Sequence, residues 1–169
     1  MKKILIISAT SFSNYDLSLK IKELIDKTNV KAEIINLEEY NLPLFTAKTY
    51  KENKNNINDM VDDITKKFIR SSGLIFCAPE YNGSIPPIIT NCIAWISVST
   101  DYWRDAFKDK IGLIASSSGG EGVKYNISMK NQLEHLGVII IPRFVSISSN
   151  KSFNSKSTEK ILLQFTNLL

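Results

Sequence analysis

The stretch that decides the fold is KILIISATSFSNYDLSLKIKELIDK, residues 3–27. Its first five residues, 3–7, are rich in Ile and Leu without alternating polar positions, which is typical of a strand covered on both faces. From residue 17 onward, apolar side chains fall at positions 17, 19, 21, 24 and 25, the spacing of one helix face. The stretch therefore predicts a buried parallel strand followed by an amphipathic helix.

The same alternation of buried strand and helix continues along the chain. Further strands are predicted at residues 32–37, 73–78, 111–116 and 138–142. Helical spacing recurs at residues 57–69, 87–97, 125–137 and 157–169, the last with Ser157 or Thr158 as its expected N-cap. Five strands joined by right-handed helical crossovers predict an α/β fold, a three-layer doubly wound parallel sheet in one domain over residues 1–169.

Composition limits the possible classes of protein. A chain of 169 residues has the length of one ordinary domain and can bury a core without metal or disulfide support. No apolar run reaches the roughly 18 residues of a membrane span, and the N-terminal MKKILIISAT has no signal-peptide cleavage site. Cys77 and Cys92 are expected to be buried and reduced. These features predict a cytoplasmic protein that does not associate with a membrane.

The net charge of +4 comes from lysines that are mixed with Asp and Glu, so no basic face is indicated. Only KTYKENKNN, residues 48–56, approaches a basic cluster, and we interpret it as a polar, mobile connection. Nucleic-acid binding is therefore not expected. A single histidine, His135, gives no basis for a histidine-ligated metal site or a Ser-His-Asp triad, and we expect it to be structural at a helix C-terminus.

Three loops follow the first, third and fourth predicted strands, and such loops meet at the ligand site of a doubly wound sheet. SATSFSNYD is rich in hydroxyls and leads into a helix N-terminus, which suits a phosphate. PEYNGSIPP offers main-chain groups and one aromatic ring instead of charge from lysine or arginine. SSSGGEG lets backbone approach a flat ligand through its glycines. Together the loops predict a pocket for a phosphorylated planar molecule.

Other functions of three-layer α/β folds lack their motifs here. A low-molecular-weight phosphatase needs an arginine six positions after its cysteine, but Gly83 and Val98 stand six positions after Cys77 and Cys92. The first loop has no glycine, which excludes the Gly-x-Gly-x-x-Gly and Gly-Lys-Ser/Thr phosphate loops. A response regulator needs an aspartate at the end of the third strand, where this chain has the sequence CAP.

The segment PEYNGSIPPIITNCIAW, residues 79–95, resembles the signature of the NADPH-dependent FMN reductase family, which runs Pro-Glu-Tyr-Asn-Gly-Ser-x-Pro into a helix with an Asn and a Trp. The similarity of arrangement extends over nearly the whole chain. The resemblance implies a flavodoxin-like fold with strand order 2-1-3-4-5, bound FMN, and NADPH or NADH as co-substrate. It also implies hydride transfer through FMN to a small acceptor (a quinone, an azo compound, a free flavin or a metal oxyanion), without a side chain acting as acid or base.

The resemblance further implies which residues bind FMN. In the first loop, the phosphate would be held by Thr10, Ser11, Ser13 and Asn14. The isoalloxazine ring would be lined by Pro79, Glu80, Tyr81, Asn82, Gly83 and Ser84, and its other edge would touch Ser117, Ser118, Gly119 and Gly120. The first loop departs from the family because it lacks the usual arginine, so we expect a weaker grip on the phosphate. Asp16 is expected to face solvent in the first helical turn.

The resemblance also implies a homodimer or homotetramer in which the helix after the middle loop packs on its twin. Large apolar side chains in this region exceed what one helix is expected to bury: Ile93, Trp95, Ile96, Tyr102, Trp103 and Phe107. The alternative is that Trp95 faces the sheet while Tyr102 and Trp103 fold back locally. For function, the alternative is a non-catalytic flavin-binding electron carrier or redox sensor that acts through a protein partner, although such carriers are usually strongly acidic.

Overall fold

A computed structural model describes residues 2–53 and 58–169 as strands and helices in alternation. The strands are β1 (Lys3–Ser8), β2 (Lys31–Asn36), β3 (Gly73–Cys77), β4 (Ile111–Ser117), β5 (Ile139–Ile140) and β6 (Val145–Ile147). The helices are α1 (Ser13–Ile25), α2 (Ala47–Asn53), α3 (Asn58–Arg70), α4 (Pro87–Ser97), α5 (Val123–His135) and α6 (Ser155–Leu168), with a 3-10 turn at Leu37–Tyr40.

The strands form one parallel sheet in the order β2-β1-β3-β4-β5, which confirms the predicted flavodoxin-like α/β fold. Residues of β1 alternate between the two faces of the sheet. Leu5 and Ile7 pack in the layer that contains Phe68 and Phe76, whereas Ile4 and Ile6 pack in the opposite layer. Burial on both faces explains why the strand sequences lack polar alternation.

The fifth predicted strand, residues 138–142, is shorter than predicted, and a sixth strand that was not predicted follows it. β5 pairs with Ile111 and Gly112 of β4, while β6 pairs with β4 three residues further on, from Ala115. Pro142 lies between the two strands, and proline cannot donate a hydrogen bond to a strand ladder. The predicted strand therefore ends before Pro142, and the additional strand β6 extends the carboxyl end of the sheet beside β4.

Three helix predictions also change. The first helix begins at Ser13, four residues before the apolar spacing begins, and Asp16 is exposed in its first turn as expected. Residues 47–53 form α2, although residues 48–56 were expected to be an irregular connection. Residues 54–56, like residue 57 of the second predicted helix, lie outside the described residues. α6 begins at Ser155 with Asn154 as N-cap, so the prediction of Ser157 or Thr158 was wrong.

The asparagine and tryptophan of α4 fix the connection that follows β2. Trp95 is 3% exposed and donates its indole N–H to the Pro43 carbonyl at 2.7 Å. Asn91, one turn earlier, accepts a hydrogen bond from the Phe45 N–H at 2.7 Å and donates to the Pro43 carbonyl at 3.0 Å. Phe45 meets the Trp95 ring edge-on, with centroids 5.1 Å apart. The two signature residues of this helix are thus structural here.

The aromatic surface expected to form an oligomer interface is much smaller than predicted. Ile93, Trp95, Ile96 and Phe107 are all buried within the chain. Tyr102 remains 50% exposed, and Trp103 remains 37% exposed between Arg104 and His135. The premise that α4 carries more apolar surface than it buries was wrong, because α4 packs against the sheet and against the connection after β2.

Candidate active site

The carboxyl ends of β1, β3, β4 and β6 meet at one edge of the sheet and enclose a cleft of about 800 Å³. Ten of the predicted site residues line this cleft: Thr10, Ser11, Ser13, Asn14, Pro79, Glu80, Tyr81, Ser117, Ser118 and Gly119. The lining also contains residues that were not predicted: Phe12, Glu38, Ile147, Ser148 and Ser149. The lining does not include Asn82, Gly83, Ser84 and Gly120. The structure therefore brings together the three loops that the strand pattern selected.

The first loop turns sharply from β1 into α1. The Ala9 N–H donates to the Cys77 carbonyl at 2.9 Å, which continues the β1 and β3 pairing to the start of the loop. Helix α1 then begins at Ser13 without a side-chain hydrogen bond at its cap. Its first-turn N–H groups carry the positive end of the helix dipole, and Ser13 and Asn14 at this end line the cleft. This is the arrangement that binds phosphate groups in many α/β proteins.

Phe12 adopts an unusual backbone conformation at the start of α1. Its φ is 62° and its ψ is −122°, a region that glycine occupies far more readily than residues with a side chain. Its ring is 87% exposed, so burial of the side chain does not explain the conformation. Strained and exposed residues of this kind are concentrated at ligand sites. Nothing in the amino-acid sequence of the first loop had indicated this conformation.

Asn14 connects the first loop to the loop after β4. Its amide donates to the Ser117 carbonyl at 2.8 Å and its carbonyl accepts from the Ser117 N–H at 2.9 Å. Asn14 is 1% exposed. Both polar groups of its side chain are thus already bound to protein, so Asn14 positions the first loop against β4.

Glu38 is a lining residue that the sequence analysis did not predict, and it contacts the first loop directly. Its carboxylate accepts a hydrogen bond from the Ser11 N–H at 2.8 Å. Asn36 supports the contact, because its amide donates to the Ser11 hydroxyl at 3.0 Å and its carbonyl accepts from the Glu38 N–H at 3.2 Å. The signal was available: β2 neighbours β1, so the turn after β2 reaches the same edge of the sheet.

The middle loop is a tight turn over residues 81–84. Tyr81 and Ser84 exchange main-chain hydrogen bonds of 3.2 and 2.9 Å, and φ is positive at both central residues, 49° at Asn82 and 72° at Gly83. Positive φ at both positions is the signature of a type I′ turn, for which Asn-Gly is the preferred pair. The Asn-Gly of the motif therefore has a backbone reason. A Cβ on Gly83 would lie 3.1 Å from Cδ of Lys124, whose stem covers the turn.

Glu80 caps helix α5 from outside the helix. Its carboxylate accepts hydrogen bonds from the Lys124 N–H at 2.9 Å and the Tyr125 N–H at 3.1 Å. The helix has no side-chain cap of its own, because its N-cap residue is Gly122. A carboxylate at this end is favoured by the helix dipole. Glu80 thus holds the middle loop against α5.

The glycines after β4 serve two different purposes. A Cβ on Gly119 or Gly120 would meet no described atom within 4 Å, so this backbone is open to a ligand. Gly122, in contrast, has a φ of 69°, and a Cβ there would lie 2.5 Å from the Ser116 hydroxyl oxygen. The first pair leaves one edge of the cleft free, whereas Gly122 lets the chain pass close to β4 before α5 begins.

The cleft contains no cationic side chain among the described residues that line it. Its charged lining residues are Glu38 and Glu80, and Glu80 is occupied by α5. Cys77 and Cys92 lie in the core, where burial raises the pKa of each thiol to about 12 and keeps both uncharged near neutral pH. The cleft therefore offers main-chain groups, hydroxyls and helix termini to a ligand.

Residues 2–53 and 58–169 contain neither a metal-binding cluster nor a membrane-spanning helix. No cluster of three or more His, Cys, Asp or Glu side chains in these ranges is arranged to hold a metal ion. Within the same ranges, no helix has both the length and the apolar character that a membrane crossing requires.

Comparison with known protein families shows to which family the chain belongs. The sequence profile described as NADPH-dependent FMN reductase matches residues 2–152. The chain belongs to this family. The predicted family is confirmed, and with it the use of FMN and NAD(P)H at the level of the family.

Two curated relatives of this FMN reductase family member each match about half of the chain. A region of 100 residues is 29% identical to an uncharacterized protein of Mycoplasma pneumoniae, covering 56% of this chain and 58% of that one. A region of 90 residues is 29% identical to the NADH:(hydroxy)cinnamate reductase subunit CrdA of Vibrio ruber, covering 53% of this chain and 41% of that one. The chain thus spans about half the length of the curated relatives it matches.

A solved structure supports the fold over the full chain. The flavoenzyme NAD(P)H:(acceptor) oxidoreductase FerB of Paracoccus denitrificans superposes with a TM-score of 0.77 at 19% identity, covering 99% of this chain and 97% of that one. At this identity the likeness concerns the fold.

The cleft of this family member fits FMN in three respects. It lies where doubly wound sheets bind cofactors, its α1 terminus lacks a side-chain cap, and its edge at Gly119 and Gly120 is open. One feature opposes the fit, because the Glu38 carboxylate already accepts the Ser11 N–H of the phosphate loop.

Proposed function

We propose that this chain is an FMN-dependent NAD(P)H oxidoreductase that reduces a small acceptor. The observation that carries the proposal is the cleft at the carboxyl ends of β1, β3 and β4, which joins an uncapped helix terminus to an open glycine edge. Family membership supports the cofactor pair. The acceptor we propose is a quinone, an azo compound, a free flavin or a metal oxyanion.

The phosphate of FMN would bind at the start of α1. The main-chain N–H groups of the first turn and the hydroxyls of Thr10, Ser11 and Ser13 are the available donors, and Asn14 would position them through Ser117. Hydrogen bonds to a charged acceptor contribute roughly 1.5–3 kcal/mol each. Several such bonds would hold a dianion without the arginine that the family usually has.

The isoalloxazine ring would lie between the middle loop and the glycine edge. Pro79 and Tyr81 line one side of the cleft, and Gly119 lines the other. The main chain around Asn82 and Gly83 would polarise the ring edge where negative charge develops, and the type I′ turn holds these groups rigidly. Bound FMN would supply the redox chemistry, by accepting hydride from a nicotinamide and passing electrons to the acceptor.

The protein would contribute binding, orientation and exclusion of water, without an acid or base of its own. Tyr81 is 49% exposed at the mouth of the cleft, so a nicotinamide or a planar acceptor would reach the ring beside it. The Glu80 carboxylate is occupied by two N–H groups of α5, which leaves it unsuited to proton transfer. The nicotinamide and the acceptor would therefore use the same open face of the flavin ring in turn.

The proposal includes a cytoplasmic location and a homodimer or homotetramer. Two buried, unpaired cysteines suit a reducing compartment. Tyr102 and Trp103 are the partly exposed aromatic pair that remains available for a contact between copies. A second copy placed there would bury aromatic surface of the kind enriched at interfaces.

The experiment is to titrate the purified protein with FMN, follow binding in the visible spectrum and by flavin fluorescence, and measure the oxidation of NADPH and NADH with a small quinone. Bound yellow FMN and rapid quinone-dependent turnover are expected. A protein that binds no FMN in this titration would contradict the proposal. Flavin binding without turnover on any small acceptor would instead favour the alternative, an electron carrier or redox sensor that needs a protein partner.

A further inference from the structure

The Ser11 N–H of the phosphate loop is occupied by a carboxylate of the same chain. Glu38 accepts this hydrogen bond at 2.8 Å. A carboxylate and a phosphate present similar anionic oxygens to a main-chain N–H. Glu38 is thus bound where an oxygen of the flavin phosphate would be expected to bind.

The surroundings of Glu38 hold it at the loop. Asn36 caps the 3-10 turn Leu37–Tyr40 by accepting the Glu38 N–H, and the same side chain donates to the Ser11 hydroxyl. Glu38 itself is exposed and sits on this short turn, so its side chain is free to rotate into solvent. The contact is therefore ordered but open to displacement.

No described cation in the cleft lining offsets this carboxylate. The lining has neither lysine nor arginine, and its other charged residue, Glu80, is also acidic. A dianionic phosphate would therefore meet a negative charge within hydrogen-bonding reach of its own donor. Such repulsion is reduced but not abolished by solvent at a partly exposed site.

From these contacts we infer that Glu38 determines flavin specificity by competing with the flavin phosphate for the first loop. The inference rests on the proposed function. FMN must displace Glu38 or share its donor, whereas riboflavin, which has the same ring and no phosphate, need not. Glu38 thus lowers the preference for FMN over riboflavin and makes bound FMN readily exchangeable. The ligand of this site would thus be a flavin that binds weakly and exchanges with flavin in solution.

The test compares dissociation constants for FMN and riboflavin, measured by quenching of flavin fluorescence with flavin-free protein. Glu38→Gln removes the charge and keeps an acceptor, and Glu38→Ala removes both. Glu39→Gln is the matched control, because Glu39 belongs to the same turn and is exposed. We expect both Glu38 variants to bind FMN about tenfold more tightly, which corresponds to about 1.4 kcal/mol, and riboflavin unchanged.

The control variant should bind both flavins as the wild type does. An unchanged ratio of FMN to riboflavin affinity in both Glu38 variants would overturn the inference, as would a selective weakening of FMN, which would mean that Glu38 orders the loop for phosphate. A wild-type protein that binds neither flavin would overturn the proposed function and the inference with it. If the wild type binds FMN and the Glu38 variants bind it with the same affinity, the inference fails and the proposed function stands.

Discussion

Asn14 and Ser117 are 103 positions apart in the sequence and exchange two hydrogen bonds of 2.8 and 2.9 Å. One asparagine thereby satisfies the main-chain carbonyl and N–H at the end of β4 and fixes the start of α1 against it. The two loops that the proposal assigns to the phosphate and to the far edge of the ring are joined through this single side chain. Flavin binding and stability are expected to depend on it together.

Replacing Asn14 with alanine should lower both the flavin affinity and the stability of the protein. The change leaves the Ser117 N–H and carbonyl without their partner at a buried position, which costs roughly 1–3 kcal/mol of the free energy of unfolding. FMN and riboflavin should both bind more weakly, because the loop loses its anchor and not a phosphate ligand. Chemical denaturation and fluorescence quenching measure the two effects. Selective loss of FMN would show that Asn14 contacts the phosphate directly.

Gly83→Val should weaken flavin binding by about tenfold or more while the protein remains folded. Gly83 has a φ of 72°, where a β-branched residue costs roughly 1–3 kcal/mol, and the added side chain would also press on Lys124. The turn would open and its main-chain groups would leave the ring edge. Gly83→Asn is the control, since asparagine tolerates this conformation. Equal affinity in the valine variant would remove the turn from the site.

The doubly wound parallel sheet was predictable because β1, β3 and β4 are apolar on both faces and need helices on each side, whereas the strand order followed from the resemblance to the family. The short β5 and the additional β6 were not predictable, because they depend on the position at which Pro142 interrupts pairing with β4. α2 was missed because its sequence is polar and gives little apolar spacing. In the cleft, the loops were predictable from their positions after the strands, whereas the contact between Glu38 and Ser11 depends on the turn after β2.

Lys110 should make stability depend on pH in the alkaline range. Its ammonium donates to the Ile69 and Ser71 carbonyls at the end of α3, and burial lowers its pKa below the ordinary value of 10.5. Between the lowered value and 10.5, the unfolded chain binds more protons than the folded one, so the contribution of Lys110 rises with pH. This contribution to the free energy of unfolding is smallest below the pKa that Lys110 has in the folded protein.

The comparison that isolates this effect is wild type against Lys110→Met, by urea unfolding at several pH values up to 10.5. Tyrosines and the other lysines titrate in both proteins, so the difference in the free energy of unfolding reports on Lys110. We expect this difference to shift in favour of the wild type as the pH rises. A difference that stays constant would mean that Lys110 has the same pKa in both states.

Trp103→Glu should reduce the mass in solution if the exposed aromatic pair joins two copies. Trp103 is 37% exposed and stacks near Arg104, so a carboxylate there would introduce charge into the contact without opening the core. Light scattering at micromolar concentration measures the mass, and Trp103→Phe, which keeps an apolar ring, is the control. A monomeric wild type with flavin fully bound would end the proposal of a homodimer or homotetramer.

Phe12→Gly should stabilise the fold and weaken the site. At a φ of 62° and a ψ of −122°, phenylalanine carries strain of roughly 1–3 kcal/mol that glycine does not. Glycine loses about 0.4–1 kcal/mol more in chain entropy on folding, so a net gain of about 1 kcal/mol is expected in chemical denaturation. Phe12→Ala, which keeps the strain and removes the ring, should not be stabilised.

The same pair of variants separates the roles of backbone and ring in binding flavin. Glycine frees the backbone between Ser11 and Ser13, so the N–H groups at the start of α1 are less well ordered and FMN should bind more weakly in spite of the greater stability. Alanine keeps the backbone conformation and should retain FMN affinity unless the 87% exposed ring covers the bound flavin. Weaker binding of both flavins by the alanine variant would assign that covering role to Phe12, and unchanged FMN binding by the glycine variant would show that the strain serves no purpose in the site.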